Sequence, residues 1–174
     1  MDKIQPNTMT KTIQNGRYKI RRSPDQGSLI IPAESASSIA TLGPEDPSRN
    51  ETGIWILTTS SSYSPSDCVA SAGAMIATLQ HEGTNAYLAF QKPISLDQQV
   101  SIIVSSDDKQ VWTINPVGTT GYGRKNEYHI GYPYLLHGEV MVVDISMLRV
   151  YPPRLALRPF EEGRTSPWRF EAIA

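Results

Sequence analysis

Apolar residues along this chain alternate with polar ones in short runs, a pattern typical of half-buried β-strands. Three of these runs carry a tryptophan with an apolar residue two positions later; the tryptophans are Trp55, Trp112 and Trp168. Side chains two positions apart in a strand point to the same face, so we expect each tryptophan to pack inward. The tryptophans are 57 and 56 residues apart, a spacing that suits a repeated unit of about four short strands.

Each tryptophan closes a passage of similar layout. The first passage opens with Gly16-Arg17-Tyr18-Lys19-Ile20 and the third with Glu127-Tyr128-His129-Ile130. Tyr18 and Met75 each lie 37 residues before their tryptophan, and Tyr128 lies 40 before Trp168. We therefore predict an all-β chain of three four-stranded repeats, a β-trefoil with a six-stranded barrel and three hairpins. A sandwich of nine or ten strands is the alternative, because short strands with regular turns suit it as well.

The predicted domain organisation is simple. Residues 1–14 are polar and lack periodicity, so we expect a flexible leader followed by a single domain over residues 15–174. The 13 prolines and 12 glycines favour many turns over long helices. Residues 66–80 contain alanine, methionine and leucine and offer a helix as an alternative to a strand.

Composition argues against several classes of partner. The net charge of -1 gives no electrostatic reason to expect nucleic acid or a membrane as partner. No run of 18 apolar residues occurs, and the N-terminus lacks a hydrophobic signal segment, so we expect a cytoplasmic protein. Cys68 is the single cysteine and cannot form an internal disulfide. The sequon at Asn50 is interpreted as incidental.

The sequence offers little support for catalysis. His81, His129 and His137 are widely separated, and none stands in a zinc-binding spacing. The chain has no nucleophile-elbow, P-loop or dinucleotide motif. Cys68 has no histidine beside it in the sequence, which predicts a buried or incidental thiol, and His129 is expected to face outward on a strand. We therefore predict no enzyme activity, no cofactor and no metal.

Several of these residues resemble those of known families. The run at residues 16–20, the Trp-x-aliphatic strands and the terminal Pro167-Trp168-Arg169-Phe170-Glu171 resemble the fungal β-trefoil protease inhibitors. These are the mycocypins, which inhibit cysteine proteases, and the mycospins, which inhibit serine proteases. The resemblance covers about residues 16–174. It implies a protein whose surface loops block a protease cleft reversibly.

By resemblance to mycocypins, two loops would enter a papain-like cleft: the one between the first and second strands and the one between the third and fourth. Each contains proline, which restricts the backbone, and Gly27 permits conformations closed to other residues. A stiff loop loses little entropy on binding. Ordinary turns between strands remain the alternative for both loops. The predicted contact residues are Ser23, Pro24, Asp25, Gln26 and Gly27, and Pro44, Glu45, Asp46, Pro47, Ser48 and Arg49.

A trypsin-like target would require an exposed basic residue on a convex loop. The candidates by residue type are Arg22, Arg49, Arg154 and Arg164, and Arg49 is the first choice because prolines flank its loop. The class of the target protease, cysteine or serine, stays open.

A carbohydrate-binding lectin is the alternative function. Ricin-B-type fungal lectins are similar to this chain, and their Gln-x-Trp motif occurs once, at Gln110-Val111-Trp112; the other two strands carry Gly53 and Ser166 instead. Asp107, Asp108 and Gln110 near Tyr87 could supply a sugar site, or could form a hairpin turn beside a core tyrosine. Tyr132-Pro133-Tyr134 is a candidate binding loop for sugar or protein. A module for other protein partners is the third hypothesis.

Overall fold

The computed structural model describes residues 13–22, 27–31, 39–45, 48, 53–64, 68–71, 73–92, 100–117 and 126–174. No α-helix occurs in these ranges, so the all-β prediction is confirmed there. The helix considered for residues 66–80 is wrong, since a strand begins at Met75. In chain order the strands are β1 Gly16–Arg22, β2 Ser28–Ile30, β3 Thr41–Gly43, β4 Ile54–Thr59, β5 Met75–His81, β6 Tyr87–Phe90, β7 Val100–Ser105, β8 Trp112–Pro116, β9 Glu127–Gly131, β10 Met141–Ile145, β11 Leu155–Pro159 and β12 Trp168–Ala172.

The first and last strands of each passage form a closed ring. β1 pairs with β4, β4 with β5, β5 with β8, β8 with β9, β9 with β12, and β12 with β1, all antiparallel. A closed ring leaves no unpaired strand edge to invite aggregation. This six-stranded barrel is consistent with the predicted β-trefoil and differs from the open sheets of the sandwich alternative.

The remaining six strands form three hairpins, β2–β3, β6–β7 and β10–β11. The hairpins also contact one another through short antiparallel pairings. These join Thr41 to Arg154, Ile39 to Ile103 and Leu157 to Val100. Each passage therefore contributes two barrel strands and one hairpin, and each hairpin touches the other two.

The three tryptophans occupy equivalent positions, each at the start of the last barrel strand of its passage. All three are fully buried, which confirms the prediction that they pack inward. A buried indole N–H needs an acceptor, and each Nε1 donates to a carbonyl in the first hairpin strand of its own passage. The acceptors are Leu29 O for Trp55 at 3.0 Å, Leu88 O for Trp112 at 2.9 Å and Val143 O for Trp168 at 3.0 Å.

Each tryptophan pairs with a residue in the first barrel strand of its own passage. The register places Tyr18 opposite Trp55, Ala77 opposite Trp112 and Tyr128 opposite Trp168. Met75 instead faces Ile114. Met75 begins the first barrel strand of its passage, but the residue that pairs with Trp112 lies two positions further along that strand.

The other strand neighbour of each tryptophan is chemically different in each passage. Thr113 faces Gly131, so the next antiparallel step brings Trp112 opposite Tyr132. The corresponding pairs are Trp55 with His81 and Trp168 with Arg22. The three tryptophans are equivalent, but the residue opposite each one is a tyrosine, a histidine or an arginine, depending on the passage.

The first described residues, Ile13 and Gln14, contact the barrel. Ile13 is 7% exposed and belongs to the core. The carbonyl of Gln14 accepts a hydrogen bond from the Tyr18 hydroxyl at 2.7 Å. Ile13 and Gln14 are therefore held against the barrel, and residues 1–12 lie outside the described ranges.

Candidate functional site

Part of the predicted protease-contact surface can be placed. Gly27, Pro44, Glu45 and Ser48 are described, whereas Ser23, Pro24, Asp25, Gln26, Asp46, Pro47 and Arg49 lie outside the described residues. Gly27, Pro44 and Glu45 line one cleft of about 230 Å³, together with Arg21, Ser28 and Gly43. Ser48 is exposed and is not among the lining residues. The described ends of the two predicted loops therefore lie together in the fold.

Glu45 is the polar centre of this cleft. Its carboxylate accepts hydrogen bonds from Lys19 Nζ at 2.7 Å and from Ser28 Oγ at 2.9 Å. Burial raises the pKa of Glu45, but those two hydrogen bonds and the charges of Lys19 and Arg21 more than offset it, so the pKa lies below the ordinary 4.5. Glu45 is thus already bonded within the chain and anchors its loop to β1 and β2.

Gly27 has the backbone conformation for which glycine is suited. Its φ is 112°, and a β-carbon there would lie 3.3 Å from the backbone nitrogen and oxygen of Gly43. Its carbonyl accepts a hydrogen bond from Arg22 N at 3.0 Å. The prediction that Gly27 uses a conformation closed to other residues is confirmed.

The arginine candidates for a trypsin-like target separate into three cases. The hypothesis that Arg22 is an exposed contact is wrong, because Arg22 is 6% exposed and its Nη1 lies 2.5 Å from Asp144 Oδ1. Arg154 and Arg164 are exposed. Arg49, the first choice, lies outside the described residues.

The sugar site suggested around Asp107, Asp108, Gln110 and Tyr87 is occupied by contacts within the chain. Asp108 forms an ion pair with Lys92 at 3.0 Å. The Gln110 amide donates to Val111 O at 2.8 Å, and Lys109 Nζ lies 5.5 Å from the centroid of the half-buried Tyr87 ring. Residues 106–111 connect β7 to β8, which do not pair with each other, so the predicted hairpin turn is wrong.

An aromatic ladder leads from the core to the surface at the Tyr132-Pro133-Tyr134 loop. We use this name for Trp112, Phe90, Tyr132 and Tyr134. Successive rings contact edge to face, at centroid distances of 6.3, 5.3 and 5.7 Å. Such arrangements match the charge distribution of aromatic rings and hold each ring in place. The exposure rises from fully buried Trp112 to 41% at Tyr134.

Polar and aromatic side chains surround the outer end of the ladder. Lys92 Nζ lies 5.8 Å from the Phe90 ring centroid and joins the ladder to Asp108 through its ion pair. Tyr63, which is 38% exposed, neighbours Tyr134. Burial raises the pKa of Tyr134, and Tyr63 and Cys68 raise it further. The sequence suggested two separate sugar sites, one around Asp108 and one at the Tyr132-Pro133-Tyr134 loop. Lys92 and Phe90 connect these two sites.

Backbone hydrogen bonds hold the Tyr132-Pro133-Tyr134 loop to neighbouring segments of the same chain. Val69 N donates to Pro133 O at 2.7 Å, and Tyr132 N donates to Met141 O at 2.9 Å. An exposed tyrosine on an anchored loop loses little conformational freedom when a ligand binds. The sequence signals for this site were the tyrosines of residues 132–134. Phe90, Lys92 and Tyr63 were missed because they come from distant parts of the chain.

His129 faces away from the barrel, as predicted, but the Phe160 ring covers it at a centroid distance of 5.1 Å. Burial lowers the pKa of His129, while Asp144 and Glu127 raise it and Arg22 lowers it. The net result is a folded-state pKa below the ordinary 6.5.

The lowered pKa of His129 predicts a loss of stability in acid. Below about pH 6.5 the unfolded chain takes up a proton that the folded chain accepts only at lower pH, so stability falls as the pH drops. Unfolding by urea between about pH 7.5 and pH 5.5 should therefore show a smaller loss for His129→Gln than for the wild type. Equal losses in the two proteins would contradict this assignment.

Neither a metal-binding cluster nor a membrane-spanning helix occurs in the described part of the chain. No group of three or more His, Cys, Asp or Glu residues there could hold a metal ion. No helix in those ranges is long and apolar enough to cross a bilayer. Cys68 is half-buried near Tyr134, and His81 packs against Trp55 with ring centroids 5.1 Å apart.

Comparisons with known proteins place the fold. No family model and no curated protein matches the sequence. Solved structures do match over almost the whole domain. The Rhizoctonia solani agglutinin is 12% identical with a TM-score of 0.64, and the match covers 92% of this chain and 97% of the agglutinin.

Two further structures support the same conclusion. A Macrolepiota procera ricin B-like lectin, solved in complex with lactose, is 14% identical with a TM-score of 0.64 and coverages of 92% and 99%. The designed threefold-symmetric protein ThreeFoil is 15% identical with a TM-score of 0.59 and coverages of 91% and 99%. At these identities the likeness concerns the fold, which is the one shared by lectins of the ricin-B type.

Proposed function

We propose that this protein is a carbohydrate-binding β-trefoil and that the outer end of the aromatic ladder contacts the sugar. The observation that carries the proposal is the likeness over nearly the full length to an agglutinin and a ricin B-like lectin. The exposed ring of Tyr134 provides an apolar face, and polar groups flank the same ladder. Small-molecule sites commonly combine such an apolar surface with a few placed polar groups.

This proposal departs from the order favoured by the sequence, in which protease inhibition came first. Sequence resemblance to the inhibitors rested on scattered hydrophobic positions, which report on the fold and not on the site. The structural likeness favours the lectin alternative. Lactose is the first sugar to test, because the Macrolepiota lectin was solved with it.

A glycan array followed by titration with the best ligand tests the proposal. The variant Tyr134→Ala removes the exposed ring and should weaken binding at least about tenfold, or about 1.4 kcal/mol. Tyr151→Ala is the matched control, because Tyr151 is 89% exposed in the loop between β10 and β11 and is not part of the ladder. It should bind as the wild type does.

Two results would overturn this proposal in different ways. An array without signal for the wild-type protein would reject carbohydrate binding. Binding that Tyr134→Ala leaves unchanged would keep the activity but reject the site. Thermal unfolding of both variants checks that the fold is intact.

Protease inhibition is the second candidate, favoured by the cleft that Gly27, Pro44 and Glu45 share. Loops that lie side by side could enter a protease cleft together, as the resemblance to mycocypins implies. Assays with papain, a legumain-type protease and trypsin test this hypothesis. No inhibition at about micromolar protein, some 8 kcal/mol of binding, would exclude those three targets.

A further inference from the structure

The loop of the third hairpin exposes an unusual amount of apolar surface. Between β10 and β11 the exposed fractions are 71% for Met147, 60% for Leu148, 41% for Val150 and 89% for Tyr151. We call these four residues the apolar tip. Contiguous exposed apolar side chains mark interaction surfaces more often than isolated ones do.

The base of the apolar tip is firmly held. Ser146 N donates to Arg154 O at 2.8 Å across the hairpin, and Ser146 Oγ accepts from Leu148 N at 3.2 Å. Leu42 N in the neighbouring hairpin donates to Pro153 O at 2.9 Å. The tip is therefore presented on an anchored hairpin.

The charge around the apolar tip is basic, although the whole chain has a net charge of -1. Residues 145–155 contain Arg149 and Arg154 and no acidic residue. Arg149 and Arg154 are exposed, and neither forms an ion pair with a carboxylate of the described residues. In the sequence, the stretch between β2 and β3 and the stretch between β6 and β7 each include an acid, Glu34 and Asp97 respectively. The third hairpin thus differs from its two counterparts in charge.

We propose that the apolar tip docks into the interface of an anionic lipid bilayer. Apolar side chains would enter the boundary between headgroups and acyl chains, while Arg149 and Arg154 would contact lipid phosphates and anionic headgroups. Tyr151 suits this boundary because its ring is apolar and its hydroxyl is polar. The expectation of no membrane partner used the overall charge, whereas binding depends on the local charge.

The basic residues also favour an anionic bilayer over a second copy of the chain as the partner of the apolar tip. Two apolar tips meeting symmetrically would bring like charges together, which is unfavourable. A protein partner would need an apolar groove with an acidic rim to match. A fluid anionic surface complements a protruding apolar loop without such a preformed shape.

Vesicle sedimentation with the full chain tests the proposal. Vesicles of phosphatidylcholine with phosphatidylserine should bind the protein, and pure phosphatidylcholine should bind it far less. Neither lipid carries a sugar, so carbohydrate binding cannot produce the result. Arg149→Gln with Arg154→Gln should reduce partitioning about 25-fold, since each basic residue near an anionic surface contributes about fivefold.

The variant Met147→Ser/Leu148→Ser should weaken partitioning at least about tenfold through lost apolar burial. Leu135→Ser is the matched control, because Leu135 is 52% exposed on the loop before β10 and should leave partitioning unchanged. A fluorophore on Met147→Cys, in a Cys68→Ser background, should become brighter with anionic vesicles. Absence of wild-type binding, or binding that the serine variant retains, would overturn the proposal. The proposal would also be overturned if the wild-type protein self-associates in sedimentation velocity and the Met147→Ser/Leu148→Ser variant does not. That result would make the apolar tip a contact between copies of the chain.

Discussion

Replacing Trp112 with alanine is expected to lower the free energy of unfolding by about 3–5 kcal/mol. The indole is fully buried and packs against Phe90. Removing it leaves a cavity and also leaves Leu88 O without its indole donor. Urea denaturation followed by circular dichroism measures the change, provided that the denaturant slope stays constant.

The three equivalent tryptophans provide the internal comparison. Trp55→Ala and Trp168→Ala should cost amounts similar to Trp112→Ala, because all three indoles are fully buried and make the same hydrogen bond. The conservative Trp112→Phe keeps most of the ring but loses the N–H, so it should cost less. A loss below about 1 kcal/mol at any of the three alanine variants would contradict their equal role.

Replacing Arg22 with methionine is expected to lower the free energy of unfolding by about 3 kcal/mol. Arg22 and Asp144 form an ion pair in which the two side chains are 7% and 9% exposed. The guanidinium also lies 5.6 Å from the centroid of the Trp168 ring. Without Arg22 the buried carboxylate retains the hydrogen bond from Ile145 N at 2.7 Å, but its nearest described cation is then the more distant Arg158, at 3.8 Å. Urea denaturation measures this change as well.

A second substitution shows whether the cost comes from the unpaired charge. The residues that follow the three indole acceptors are Ile30, Ala89 and Asp144, so two passages place an apolar residue where the third has an acid. The double variant Arg22→Met/Asp144→Ile should therefore recover to within about 1 kcal/mol of the wild type. A double variant as unstable as Arg22→Met would mean that the ion pair itself contributes the stability.

These two predictions concern the scaffold, whereas the proposed functions concern its loops. The hydrogen bonds of the three tryptophans join the barrel to the hairpins. The ring contacts of the ladder connect the buried Trp112 to the exposed Tyr134. The apolar tip and the cleft at Glu45 belong to other parts of the surface. Variants at Tyr134, Met147 and Leu148 should therefore separate sugar and lipid binding without large changes in stability.

Sequence reasoning about the candidate site succeeded where the relevant residues are neighbours in the chain. Tyr132 and Tyr134 could be singled out because they flank one proline and stand in a tyrosine-rich passage. Lys92 could not be, since its position over Phe90 and beside Asp108 follows from the folding of a loop onto another strand. Arg22 was misjudged for a similar reason, because an arginine at a strand end gives no local sign of a buried partner 122 residues later.

The sequence alone determined the all-β class, the inward-facing tryptophans and the number of strands, because alternation and spacing express which side chains avoid water. These are local properties that recur at regular intervals. Only the tertiary structure decided the register that pairs Ala77, and not Met75, with Trp112. It also decided which polar residues are buried and which apolar residues are exposed. Burial depends on contacts between distant segments, and no local pattern encodes those contacts.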